Sequence, residues 1–137
     1  MADHRDIGHA EARRLVELIA DRLASTGRGA AAAVVDSHGE LVAFIRTDGC
    51  RLSSINIAIN KGFTAAREAV ESSTLGERSR DEGFPLTNFG DARFVGWGGG
   101  VPIIIDGSVI GAVGVSGLPE ADDVELARFA VASLTGS

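Results

Sequence analysis

Near the start of the chain, apolar residues recur at three- and four-residue intervals: Ala12, Leu15, Val16, Ile19 and Leu23. Arg13, Arg14, Glu17, Asp21 and Arg22 lie between them. This spacing predicts an amphipathic helix of about four turns, starting near Asp6 and stopping before Gly27 and Gly29. From Ala30 to Val35 every residue is apolar; Asp36-Ser37-His38-Gly39 then turns the chain, and Glu40 to Thr47 continues extended. That pattern predicts a β-hairpin whose first strand is buried on both faces. In the second strand Leu41, Ala43 and Ile45 take one side, and Val42, Phe44 and Arg46 the other.

After the Thr47-Asp48-Gly49 turn, a helix is expected from Leu52 to about Val70, with Ile55, Ile59, Gly62, Ala66 and Ala69 as a stripe of mostly small residues. Thr74-Leu75-Gly76-Glu77 fits a capping box and predicts a short helix before the loop Gly83 to Gly90. A short strand is expected over Ala92–Trp97. The chain then runs through Gly98-Gly99-Gly100, a strand Val101–Asp106, a tight Asp-Gly turn and a strand Val109–Ser116. Pro119 opens a last helix, with Glu120, Asp122 and Asp123 at its positive end and Val124, Ala127, Val131 and Leu134 as its buried stripe. The expected architecture is α+β: one domain over 1–137, a five-stranded antiparallel sheet covered by helices.

Composition sharpens this in one respect. Hydrophobic residues at 45% and charged ones at 23% are ordinary globular values and exclude a disordered or fibrous chain. Glycine is in excess: 18 residues, about 13% against a usual value near 7%. Nine of these lie between Gly90 and Gly117, so the surplus belongs to one hairpin and its approach. Strand glycines such as Gly111 and Gly114 leave room beside the sheet for a helix or a ligand. The net charge of −6, without a basic run, argues against a nucleic-acid partner. No apolar stretch is long enough for a membrane span, and the polar N-terminus has no signal-peptide core, so a cytoplasmic protein is expected.

Several residues are candidates for chemistry. Gly98, Gly99 and Gly100 can turn successive N–H groups toward an anion, or can equally form a structural bend. Lys61 shares a helix face with Ser54, Ile57, Thr64 and Glu68; it is either a desolvated acid–base amine or a surface lysine in an ion pair. Arg46, at a strand end, can clamp a carboxylate or pair with Asp48 or Glu40. His4, His9 and His38 are scattered and form no metal triad, and Cys50 is the sole cysteine, so no metal site is expected. Phe84, Phe89, Phe94 and Trp97 cluster closely enough to form an interface or to roof a pocket between subunits.

Taken in order, Val34-Val35-Asp36 with Gly39, Leu41-Val42-Ala43, Arg46-Thr47-Asp48-Gly49, Ile57-Ala58 with Lys61, Thr64-Ala65-Ala66, Gly98-Gly99-Gly100-Val101-Pro102-Ile103 and Gly111-Ala112-Val113-Gly114-Val115-Ser116-Gly117 resemble the GlcG/HbpS family, which includes the C-terminal domain of PduO-type proteins. The resemblance implies a profilin-like or PAS-like domain, homo-oligomers, and haem as a ligand of some relatives. The axial candidates for haem here are His4, His9, His38 and Cys50. Two functions follow as expectations. One is a small-molecule-binding protein, with haem the implied ligand. The other is a cofactor-free isomerase, tautomerase or lyase acting on a small anionic metabolite. In that enzyme Lys61 is the acid/base, Arg46 the clamp and the Gly98–Gly100 amides the anion site, with Trp97, Thr64 and Phe94 lining the ligand.

Overall fold

The computed structural model describes residues 5–136. Helix α1 (His9–Ala24) leads into strands β1 (Ala31–Asp36) and β2 (Leu41–Arg46), then α2 (Ser53–Glu68) and α3 (Ser72–Glu82). After a 3₁₀ turn at Leu86–Phe89 come β3 (Gly100–Ile105), β4 (Ser108–Ser116) and α4 (Glu120–Thr135). The four strands form one antiparallel sheet in the order β2-β1-β4-β3. Helices α1 and α4 cover one face, packing on Ala32, Val34, Val101, Ile103, Val113 and Val115; α2 crosses the other over Ala31, Ala33, Val35 and Ala112. This is the expected α+β class, and β1 is buried on both faces as expected. No helix among the described residues is long and apolar enough to cross a membrane.

The fifth expected strand, Ala92–Trp97, does not form. Its backbone groups are satisfied elsewhere: the Thr64 hydroxyl donates to the Arg93 carbonyl (3.3 Å) and accepts from the Val95 N–H (3.0 Å). Gly96 lies against Gly76 of α3, where a Cβ on Gly76 would run into the Gly96 carbonyl. The segment is therefore held on the helices rather than in the sheet.

Smaller differences have local causes. α1 begins at His9 rather than near Asp6, because the Ile7 N–H is tied to the Ile110 carbonyl (2.9 Å) and the Glu11 carboxylate accepts from the Gly8 N–H (3.2 Å). α3 begins at Ser72, upstream of the expected capping box, so Thr74 lies inside the helix. Between Val34 and Val35 the register slips, placing Leu41 opposite Val35 while Val42 joins Ala43 and Ile45 against the α1/α4 core. A β-bulge thus breaks the simple alternation expected for β2.

The buried face of α2 is also rotated from the expected stripe. Ala58, Lys61, Gly62, Ala65 and Ala66 are buried, whereas Ile55 and Ile59 are half-buried and Ala69, just beyond the helix, is exposed. Backbone proximity decides this. A Cβ on Gly114 would collide with the Ala58 carbonyl and reach within 2.7 Å of the Gly62 nitrogen, and one on Gly100 would collide with the Lys61 carbonyl. Glycines on β3 and β4 let α2 lie directly on the sheet, carrying Lys61 inward. In α4, Leu126 and Ala130 are buried with Ala127 and Val131, while Val124 and Leu134 are only half-buried.

Candidate ligand-binding site

Lys61 is 2% exposed, as is Asp123 in the first turn of α4. The Lys61 ammonium donates to Asp123 Oδ2 at 3.1 Å and to the Val115 carbonyl at 2.9 Å; the other Asp123 oxygen accepts the Leu118 N–H at 3.1 Å. One ion pair thereby joins α2, the end of β4 and the start of α4. Burial pushes the Asp123 carboxyl above the ordinary carboxylate range, with Lys61 and the Leu118 N–H pulling the other way.

The pair forms the floor of a cavity of about 520 Å³. Ser54 and Ile57 of α2 make one wall; Ser116, Gly117, Leu118 and Pro119 make the facing one; Arg51, Trp97 and Glu120 stand at the rim. Ser54 is 4% exposed and Ser116 5%; neither hydroxyl has a hydrogen-bond partner among the described residues, and both oxygens are open to the cavity rather than sealed in the core. The N-termini of α2 and α4 both border this space and neither has a side-chain cap. Their first-turn N–H groups are largely taken by backbone carbonyls, those of Ser54 and Ile55 by Arg51 and Leu52 and those of Asp122 and Asp123 by Pro119.

The triple glycine borders the same ion pair but is already engaged. A Cβ on Gly99 would lie 3.0 Å from Lys61 Nζ, which places the glycines directly beside the lysine. The Gly98 N–H donates to Glu120 Oε2 at 2.6 Å and the Gly100 N–H to Ser72 Oγ at 2.9 Å. Ser72 in turn donates to the Trp97 carbonyl at 2.7 Å. Ser72→Ala is expected to strand a buried N–H and a carbonyl and to cost about 1–3 kcal/mol in chemical denaturation.

The remaining sequence candidates lie apart. Arg46 is exposed and borders a separate depression with Thr47, Asp48, Gly49, Cys50 and Leu52. Burial raises the Cys50 thiol pKa, with Arg46 acting in the opposite direction. Thr64 is fully buried and braces the 93–95 segment, while Phe94 packs edge-on against Phe63 (5.0 Å) and stacks on Phe89 (4.3 Å). Trp97 is 60% exposed at the cavity rim. His9 and His38 are exposed and, like Cys50, do not line the cavity; His4 lies outside the described residues. No group of three His, Cys, Asp or Glu among the described residues can hold a metal ion.

Sequence reasoning missed Asp123 as Lys61's partner, and Arg51, Ser116 and Glu120 as lining residues. One signal was present: a lysine on a helix face destined for a glycine-rich sheet needs a buried carboxylate, and Asp123 lies in a helix whose other buried residues are Leu126, Ala127, Ala130 and Val131.

A family model described as haem degrading protein HbpS-like matches residues 7–132. An uncharacterised 15.0 kDa protein from the dhaT-dhaS intergenic region of Citrobacter freundii is 38% identical over 102 residues, covering 72% of this chain and 70% of that protein. GlcG of Escherichia coli K12 is 39% identical over 90 residues, 61% of each chain. Among solved structures, a double mutant of Streptomyces reticuli HbpS superposes with a TM-score of 0.86 at 26% identity, covering 100% of this chain and 92% of the other. The chain belongs to the haem degrading protein HbpS-like family.

Proposed function

We propose that this protein binds a small anionic molecule in the Lys61 cavity, and that haem, which the family description names, engages this cavity through its carboxylates. The observation that carries the reading is the pair of unpartnered hydroxyls that the largely buried residues Ser54 and Ser116 leave open to the cavity, beside a lysine with a third N–H to offer. Each Asp123 oxygen already accepts a hydrogen bond, from Lys61 or Leu118, and Glu120 Oε2 accepts one from Gly98, so the side chains left without a partner here, among the described residues Ser54, Ser116 and Arg51, all carry donors. Arg51 adds a guanidinium with no side-chain partner among the described residues. Donors of this kind suit the carboxylates of haem, and the indole of Trp97 with Ile57 and Leu118 gives an apolar rim for a flat ring. The cavity offers the iron no imidazole or thiolate among the described residues, and its lysine and carboxylates are already engaged with one another or with backbone.

Binding is preferred to proton-transfer catalysis because Lys61 is held by two acceptors, Arg46 lies elsewhere, and the Gly98 and Gly100 amides are engaged. Titration with haemin, followed by its absorption band, is expected to saturate. An Arg51→Ala, Ser116→Val double variant is expected to weaken binding about tenfold or more, as loss of charged hydrogen bonds would. Loss of binding on changing His9 or His38, with the double variant unaffected, would place the site elsewhere and overturn the reading.

A further inference from the structure

We infer that Glu120 is a resident competitor for the ligand: its carboxylate occupies the Gly98 N–H until a ligand carboxylate displaces it, and this exchange selects carboxylates over neutral molecules. The inference rests on reading the Lys61 cavity as the ligand site. Glu120 is the first residue of α4, is exposed, and lines the cavity mouth, yet its Oε2 lies 2.6 Å from the Gly98 nitrogen. Gly98 itself is buried, and its neighbours leave no room for a side chain: a Cβ would lie 2.7 Å from Val124 Cγ2. Gly98 does not itself line the cavity; its N–H lies behind the Glu120 carboxylate, which does, so the protein covers a backbone donor next to the cavity with its own anion.

The energetics favour exchange with a like group. An exposed glutamate moves into water without a desolvation penalty. A ligand carboxylate that replaces it gains the same charge-assisted hydrogen bond, and gains Ser54, Ser116 and Lys61 as further donors. A neutral alcohol or amide of the same shape gives the Gly98 N–H a weaker acceptor than the carboxylate it displaces. Removing the charge at position 120 therefore tightens binding of carboxylates, by freeing the Gly98 N–H and by removing a like charge beside the ligand.

The test is an amide-resolved NMR titration of the full chain with benzoate, using benzyl alcohol as the uncharged probe. Benzoate is expected to move the Gly98 amide resonance together with those of Ser54 and Ser116; benzyl alcohol is expected to leave Gly98 in place. In Glu120→Gln, the benzoate Kd is expected to fall about tenfold, as for a site freed from an occupant present in about nine molecules of ten. Glu120→Ala guards against a glutamine that keeps the contact, and a thermal melt confirms that both variants fold. If Ser54 and Ser116 move at saturation but Gly98 does not, or if both variants bind as the wild type does, Glu120 is no competitor although the cavity remains the site. If no cavity resonance moves with benzoate at saturation, the competitor and the cavity reading fall together.

Discussion

Lys61→Met is expected to destabilise the protein by about 3–5 kcal/mol, because it leaves the Asp123 carboxylate buried without its counter-ion. In a chain of this size that corresponds to a fall in Tm of roughly 10–20 °C. The loss should depend on pH with a definite sign. Burial already raises the Asp123 carboxyl, and removing Lys61 takes away its chief opposing influence, so in the variant the carboxyl titrates higher still. A group whose folded pKa lies above its unfolded value favours the fold below the unfolded pKa and loses that advantage as pH rises through the folded one. The deficit of the variant relative to wild type should therefore be smallest in mild acid and largest at neutral pH. Adding Asp123→Leu to Lys61→Met removes the stranded charge and is expected to recover much of the loss. A Lys61→Met variant as stable as the wild type at neutral pH would show that the pair does not hold α2, β4 and α4 together.

Gly114→Ala is the second large effect. The added methyl would meet the Ala58 carbonyl and the Gly62 nitrogen, which are helix backbone and have no rotamer to escape into. α2 would have to lift from the sheet, at a cost of about 3 kcal/mol, the upper end of ordinary overpacking. The urea midpoint measures it. Gly62→Ala is the informative contrast. Its new methyl would meet Val35 Cγ1 at 3.2 Å, a side chain that can yield, and the helix gains about 1 kcal/mol of intrinsic propensity. That variant is expected to stay close to wild type. Equal losses in the two would mean that close backbone approach is not what the strand glycines supply.

The helices and the two hairpins were legible because their periodicities are local: the α1 stripe and the Ala30–Val35 run mark buried surfaces without reference to the rest of the chain. The Ala92–Trp97 segment was misread for the opposite reason. Its short run of large apolar residues suits a strand, but its backbone is claimed by the hydroxyl of Thr64, distant in sequence. The site was half legible. Lys61, Ser54 and Ile57 share a helix face by spacing alone and do line one cavity. Asp123 is 62 residues from Lys61, and no local rule pairs them. Its position in the first turn of a helix reads as a dipole partner, which concealed its role as a counter-ion. The triple glycine was visible as a cluster of donors, but not that Glu120 and Ser72 already accept from two of them.

The two margins of the sheet bear on how this protein behaves when crowded. β3, at one margin, carries Pro102, whose nitrogen has no hydrogen to offer an incoming strand. β2, at the other, carries the extra residue that breaks its ladder beside Val42. A strand from a neighbouring molecule meets an interrupted template on either side. At high concentration these interruptions are expected to hinder the chain from zipping into continuous cross-strand fibres.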